Sequence, residues 1–195
     1  MMKQLLLFTI MALMSVASYA QSWEDDLENY EVPKDEDGYV TFTEVIDVAG
    51  ASEEELFKRA QLWFADYYNL DDVTVQFSDL ASGGIAAEAN KMFESGPLIK
   101  ISYRMNYSLR LLVKDGRYKY VLSRIHFYYE PENESNHLDE SAEVWLVRDN
   151  LYKKNGKLKK NSLQFREDVF TIIFDVINSM KEGMEIQTIA SSDDW

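Results

Sequence analysis

The stretch Ile99-Lys100-Ile101-Ser102-Tyr103-Arg104-Met105-Asn106-Tyr107-Ser108-Leu109-Arg110-Leu111-Leu112-Val113 decides the fold. Every odd position is apolar or aromatic, and every even one from Lys100 to Arg110 is polar. A period of two means a strand with one buried and one wet face, as in an antiparallel sheet covered on one side. Asp115-Gly116 follows, a strong hairpin signal, and Arg117 to Tyr129 is the returning strand. The register of this hairpin contains a conflict. A two-residue turn pairs Val113 with Tyr118 and Leu111 with Tyr120, but further along it drives Arg124 and His126 into the core. A three-residue loop buries Val121, Ile125 and Phe127 instead. A bulge near Ser123 reconciles the two halves, because one extra residue flips every side chain beyond it.

Working outward, Tyr39 to Val48 alternates and predicts a strand. Ser52 and Glu55 form a capping box before Leu56, Phe57, Ala60, Trp63, Phe64 and Tyr67, which share one helical stripe. Val73, Val75 and Phe77 mark a second strand, and Ser82-Gly83-Gly84 turns into a short strand from Ile85 to Met92. Beyond the hairpin, Glu130 to Glu143 reads as an acidic loop, Val144 to Val147 as a short strand, and Lys153 to Lys160 as a lysine-rich loop. Asn161 or Ser162 caps a final helix whose stripe is Phe165, Val169, Ile172, Ile173, Val176 and Met180, with Gly183 ending it. The order strand, helix, strand, strand, long hairpin, helix defines an α+β domain over residues 39–184, followed by a tail, 185–195.

The ends and the composition narrow the class. Lys3, the apolar run Leu5 to Val16 and Ser18-Tyr19-Ala20 form a signal peptide over residues 1–20, cut before Gln21. The expected location is therefore periplasmic or extracellular, with no membrane span once the signal is removed. Residues 21–38 are an acidic, flexible leader, interrupted by Trp23, Leu27, Tyr30 and Val32, so that part of it lies down on the domain. The 195 residues carry 20 basic and 34 acidic side chains, a net charge of −14 that argues against a nucleic-acid partner. Zero cysteines exclude disulfides, thiolate metal sites and thiol nucleophiles.

Ser52-Glu53-Glu54-Glu55-Leu56-Phe57-Lys58-Arg59-Ala60 with Trp63, and later Lys114-Asp115-Gly116-Arg117-Tyr118, resemble the domain of unknown function 4468. That resemblance covers roughly Tyr39 to Tyr129. It implies a TBP-like fold, a curved antiparallel sheet with helices on one face, in secreted proteins of Gram-negative bacteria. It implies no catalytic residue. The fold's namesake binds DNA with a basic saddle, and this acidic chain departs from it.

Candidate sites are few. Asp35-Glu36-Asp37-Gly38-Tyr39-Val40 with Glu44 mimics a calcium loop, but Pro33 stands at its first ligand position, and the plain reading is a leader running into a strand. Glu130, Glu132, Glu134, Asp139 and Glu140 fit no defined cation loop and read as a solvated acidic run. No cofactor or metal is expected. The two histidines are His126 and His137. An enzyme built on either needs a nucleophile and an orienting group that no motif supplies. The stripe Lys100, Arg104, Arg110, Lys114, Arg117 and Arg124 is open to two readings: a wet face balancing nearby acids, or a docking surface for an acidic partner or glycan, helped by Tyr118, Tyr120 and Tyr128. Lys100, Arg104, Arg110, Arg124 and His126 are the candidate residues for an unknown protein or ligand. The leading functional expectation is a non-catalytic binding module that uses the open sheet face. The alternatives are a carrier of an apolar ligand held between sheet and helices, and an enzyme with a His-based site.

Overall fold

The computed structural model describes residues 30–129, 138–148 and 151–185. The expected signal peptide over residues 1–20, residues 21–29 of the expected leader, His137, the acids Glu130, Glu132 and Glu134, and residues 186–195 of the expected tail lie outside them. The elements are β1 (Phe42–Asp47), α1 (Glu53–Tyr67), β2 (Val73–Asp79), β3 (Gly84–Ser95), β4 (Ile101–Lys114), β5 (Arg117–Tyr129), β6 (Leu138–Ser141) and α2 (Lys160–Glu185). A π-helical turn, Glu143–Val147, follows β6. The strands form one open antiparallel sheet in the order β1-β5-β4-β3-β2, and β6 also pairs with β5. β1 takes Arg117 to Leu122 of β5 and β6 takes His126 to Tyr129, so the two lie end to end along one edge. No described helix is long and apolar enough to cross a membrane.

The hairpin resolves its register by the expected bulge. Val113 pairs with Tyr118 across Asp115-Gly116, and this two-residue register holds as far as Ser108 opposite Ser123. Asn106 then pairs with His126, so Arg124 and Ile125 together oppose Tyr107. Arg124 takes φ = 53°, the left-handed conformation that lets a strand absorb an extra residue. The result is that Tyr118, Tyr120 and Leu122 before the bulge and Ile125 and Phe127 after it are all buried on one face.

That face packs on both helices. Met105, Leu109, Leu111 and Leu122 from the sheet meet Leu56 and Ala60 of α1 and Phe170 and Ile173 of α2 in a single core. Tyr107, opposite the bulge, keeps its hydroxyl 2.9 Å from that of Tyr68. Burial pushes both phenols above the ordinary tyrosine range, so they stay neutral and bond to each other.

Local chemistry explains α1. Ser52 Oγ accepts from the Glu55 N–H at 3.2 Å, but the Glu55 carboxylate turns forward to Arg59 instead of closing the capping box. Elsewhere the structure corrects the sequence. β3 extends to Ser95, three residues past Met92, and β2 carries a bulge that sets Phe77 opposite Ala86 and leaves it half-exposed. Val144 to Val147 is helical rather than extended, because a turn places Ala142 and Leu146 together in the core. β6 emerges from the acidic loop. α2 begins at Lys160, ahead of both expected caps, and continues through Gly183. Among the described residues, the end of the leader packs on the domain ahead of the alternation at Tyr39, as Tyr30 and Val32 suggested. Tyr30 meets Phe170 edge-on at 5.2 Å, and Val32 is buried.

Gly183 serves close approach. A Cβ there would lie 2.9 Å from Trp63 Cδ1 and 3.1 Å from its Cβ. Trp63 is buried between the helices and donates Nε1–H to Ser179 Oγ at 3.1 Å. Gly183→Ala would ordinarily gain about 1 kcal/mol of helix propensity. Overpacking costs about 1–3 kcal/mol, so a net loss is expected, whereas Trp63→Ala should cost about 3–5 kcal/mol. Denaturant titration of both variants checks this. A stabilised Gly183→Ala protein would show that α1 and α2 do not meet here.

Candidate binding site

Both helices cover one face of the sheet, and the other carries the polar positions of β4 and β5. The bulge decides which side chains of β5 arrive there. After it, Arg124, His126 and Tyr128 replace what an unbroken strand would have presented. Arg124 is exposed, and it is the one non-glycine residue with positive φ among the described residues. Such a conformation costs about 1–3 kcal/mol and clusters at functional sites.

Next to it, His126 lies opposite Asn106 on one side and Ser141 on the other. Its Nδ1 is 3.1 Å from Asp139 Oδ1, a pair exposed to solvent. One step along, Tyr128 pairs with Arg104, whose guanidinium lies 4.7 Å from the ring centroid. Arg104, His126 and Arg124 are thus brought together along the β4–β5 seam. Arg110 lies opposite Ala86 and Val121, six residues or about 20 Å along β4 from Arg104. Lys100 precedes β4, exposed, at the opposite end of the strand. By register Arg124, opposite Tyr107, has Arg104 three residues along β4 on the His126 side and Arg110 three residues along on the other, while Lys100 stands apart.

The cluster borders a pocket of about 530 Å³ lined by Arg124, His126, Ser123, Ser141, Thr41, Tyr39, Asp35, Ile125 and Glu143. Its far wall comes from the chain ahead of β1. Asp35 Oδ1 accepts from the N–H groups of Asp37 and Tyr39 at 3.1 and 2.9 Å, and Thr41 Oγ1 donates to Oδ2 at 3.2 Å. The apparent calcium loop is therefore a tight turn whose carboxylate is occupied by its own backbone. Among the described residues no group of three or more His, Cys, Asp or Glu is placed to hold a metal.

Glu143 ties the pocket together. Its Oε1 accepts from the Val40 N–H at 2.5 Å, joining the π-helical turn to the entry of β1. Burial alone would raise its carboxyl, but the Ser141 hydroxyl, the Val40 N–H, its own N–H and nearby His126 hold it below the ordinary value. The pocket thus holds Arg124 and His126 beside a carboxylate that stays ionised. Ser141 and Glu143 were not among the candidates read from the sequence, Asp139 was read only as part of a solvated acidic run, and Tyr128 only as an aromatic beside the basic stripe. The alternation of Arg124, His126 and Tyr128 beyond the bulge was the available signal for Tyr128; the other three sit on a strand and a turn that apolar patterning does not mark.

An open α+β sheet with its helices on one face and a polar cluster on the other defines the class. The model of the family described as domain of unknown function 4468 with TBP-like fold matches residues 42–128, which bears out the resemblance carried by the Ser52–Ala60 and Lys114–Tyr118 motifs. The fold is similar to a TBP-like protein of Parabacteroides distasonis, at a TM-score of 0.65 and 19% identity, covering 80% of this chain and 98% of that one. It is also similar to a DUF4468 family protein of Bacteroides ovatus, at 0.67 and 22%, covering 85% and 97%. No curated protein matches the chain.

The Glu143 contacts set a pH dependence. A carboxyl whose folded value lies below the ordinary 4.5 stabilises the fold above that pH, and this contribution is lost as pH falls through the folded value. Glu143→Gln should therefore cost about 1 kcal/mol at neutral pH, given partial exposure. The gap from wild type should close in acid, as pH falls below 4.5 and through the lowered folded value, read by melting curves across the range. A gap that persists in acid would show that Glu143 contributes by shape rather than charge.

Proposed function

We propose that the protein is an exported, non-catalytic binding module whose open sheet face receives an acidic partner at Arg104, Arg124 and His126. One observation carries this reading: the structure keeps a strained left-handed arginine on an uncovered face, beside a second arginine, a histidine and a pocket. Strain of that kind clusters at functional sites. The chain's strong negative charge makes these clustered cations local features, suited to steering an acidic group to one place. Export is supported by Lys3, the apolar run Leu5 to Val16 and Ser18-Tyr19-Ala20.

A second reading, an enzyme based on His126, is favoured by the His126–Asp139 pair beside the hydroxyls of Ser123 and Ser141. Among the described residues the His126 ring hydrogen-bonds to Asp139 and to no hydroxyl, so the base–nucleophile contact of a triad is not made here. The binding reading needs no such contact.

The test reverses charge without touching the core. Exposed ion pairs contribute about 0–1 kcal/mol each, and an exposed cation–π contact about 0.5–1, so the Arg104→Glu, Arg124→Glu double variant should melt close to wild type. Its capture of acidic partners from native envelope extract should fall tenfold or more, and added salt should weaken wild-type capture. Unchanged capture defeats the reading. A large fall in melting temperature would show instead that these arginines belong to the fold.

A further inference from the structure

A second site lies away from the open face, where the chain entering the domain crosses α2. Arg166 is 1% exposed, yet among the described residues it has no carboxylate partner. Its Nη2 donates to the Tyr30 carbonyl at 2.7 Å, and Nη1 reaches the Tyr152 hydroxyl only at 3.5 Å. The guanidinium lies 5.5 Å from the Phe170 ring centroid, and its buried Nε has no acceptor. Every one of these neighbours is neutral. The contrast is Arg59, 3% exposed, which is held by the Glu55 carboxylate as well as by the Met184 carbonyl. Asp168 does not serve Arg166: residues two apart on a helix face different ways, and its Oδ1 accepts from Gln164.

A buried charge without a counter-charge is costly, and proteins pair such groups or bring them a ligand. Here the guanidinium forms part of the wall of a pocket of about 510 Å³. Val32, Pro33, Leu146 and Val147 give that pocket an apolar lining, and Lys34 stands on it as a second cation. Glu31 also lines it, without forming an ion pair with Arg166. We propose that this pocket binds a small amphiphilic anion, its carboxylate or phosphate head on Arg166 and Lys34 and its short apolar body against Val32, Leu146 and Val147. The planar guanidinium fork suits either head group through two parallel hydrogen bonds. The volume lies within the range of small-molecule sites. This site is independent of the open-face reading, since it shares none of the residues of the Arg124 pocket.

The experiment uses the mature full chain with octanoate, octyl phosphate and octanol at fixed ionic strength, read by thermal shift and titration calorimetry. Saturable stabilisation by octanoate or octyl phosphate, and none by octanol, is expected. The tighter of the two anions identifies the natural head group. Arg166→Met should melt at or above the ligand-free wild type, because it removes an unpaired buried charge, and should bind the anion at least tenfold more weakly. Lys34→Gln, at an exposed residue, should weaken binding several-fold and serves if Arg166→Met does not fold. Absence of a saturable response to both anions, an equal response to octanol, or full binding by the folded Arg166→Met or Lys34→Gln protein would overturn the proposal.

Discussion

One extra residue in β5 is the constraint on which the rest of the structure depends. Strand side chains alternate with a period of two, so an uninterrupted β5 could bury Tyr118, Tyr120 and Leu122 or Ile125 and Phe127, but not both sets. The left-handed turn at Arg124 shifts the phase once, and both sets enter the core. The same shift delivers Arg124, His126 and Tyr128 to the open face, beside Arg104. Core and candidate site are therefore two consequences of a single backbone event. The local cost of that event, about 1–3 kcal/mol, is small beside the burial it permits, since each large core side chain is worth several kcal/mol.

The bulge also explains the divided edge of the sheet. β1 pairs with β5 before it and β6 pairs with β5 after it, so the extra residue falls where the two partners meet. Glu143 closes that junction by accepting the Val40 N–H, and the pocket beside Arg124 lies there. A few residues earlier, the same incoming segment crosses α2 and buries Arg166 beneath Tyr30. The chain between Tyr30 and Val40 thus forms a wall for two chemically different pockets, one amphoteric and one cationic with an apolar lining. This gives the end of the acidic leader, where Tyr30 and Val32 interrupt the charges, a structural role.

Much of this was legible. The odd-position run from Ile99 to Val113 set the long strand and its buried face, and the clash of registers beyond Tyr120 located the bulge. Ser52 and the Leu56-to-Tyr67 stripe placed α1. What escaped did so for physical reasons. β6 is four residues of mostly polar edge strand, so no apolar alternation marks it. The turn at Glu143–Val147 carries β-formers, but the need to bury Ala142 and Leu146 together overrides propensity. Gly183 looked like a stop because its real partner, Trp63, is far away in sequence. The site was half visible for the same reason: Arg124 and His126 follow from register, whereas Asp139 and Glu143 arrive by tertiary contact. Arg166 adjoins an apolar stripe at Phe165 and reads as a solvated neighbour, though the fold buries it.

The bulge account is tested most directly by deleting Arg124 and, separately, replacing it with glycine, then following unfolding by near-ultraviolet circular dichroism in denaturant. Glycine adopts φ > 0 without strain, so Arg124→Gly should unfold cooperatively with stability equal to or about 1 kcal/mol above wild type. Deletion removes the phase shift and turns Ile125 and Phe127 toward solvent. Its predicted loss exceeds about 5 kcal/mol, enough to abolish cooperative unfolding in a domain of ordinary stability. A deletion protein that unfolds at the wild-type midpoint with its tertiary signal intact would contradict the account.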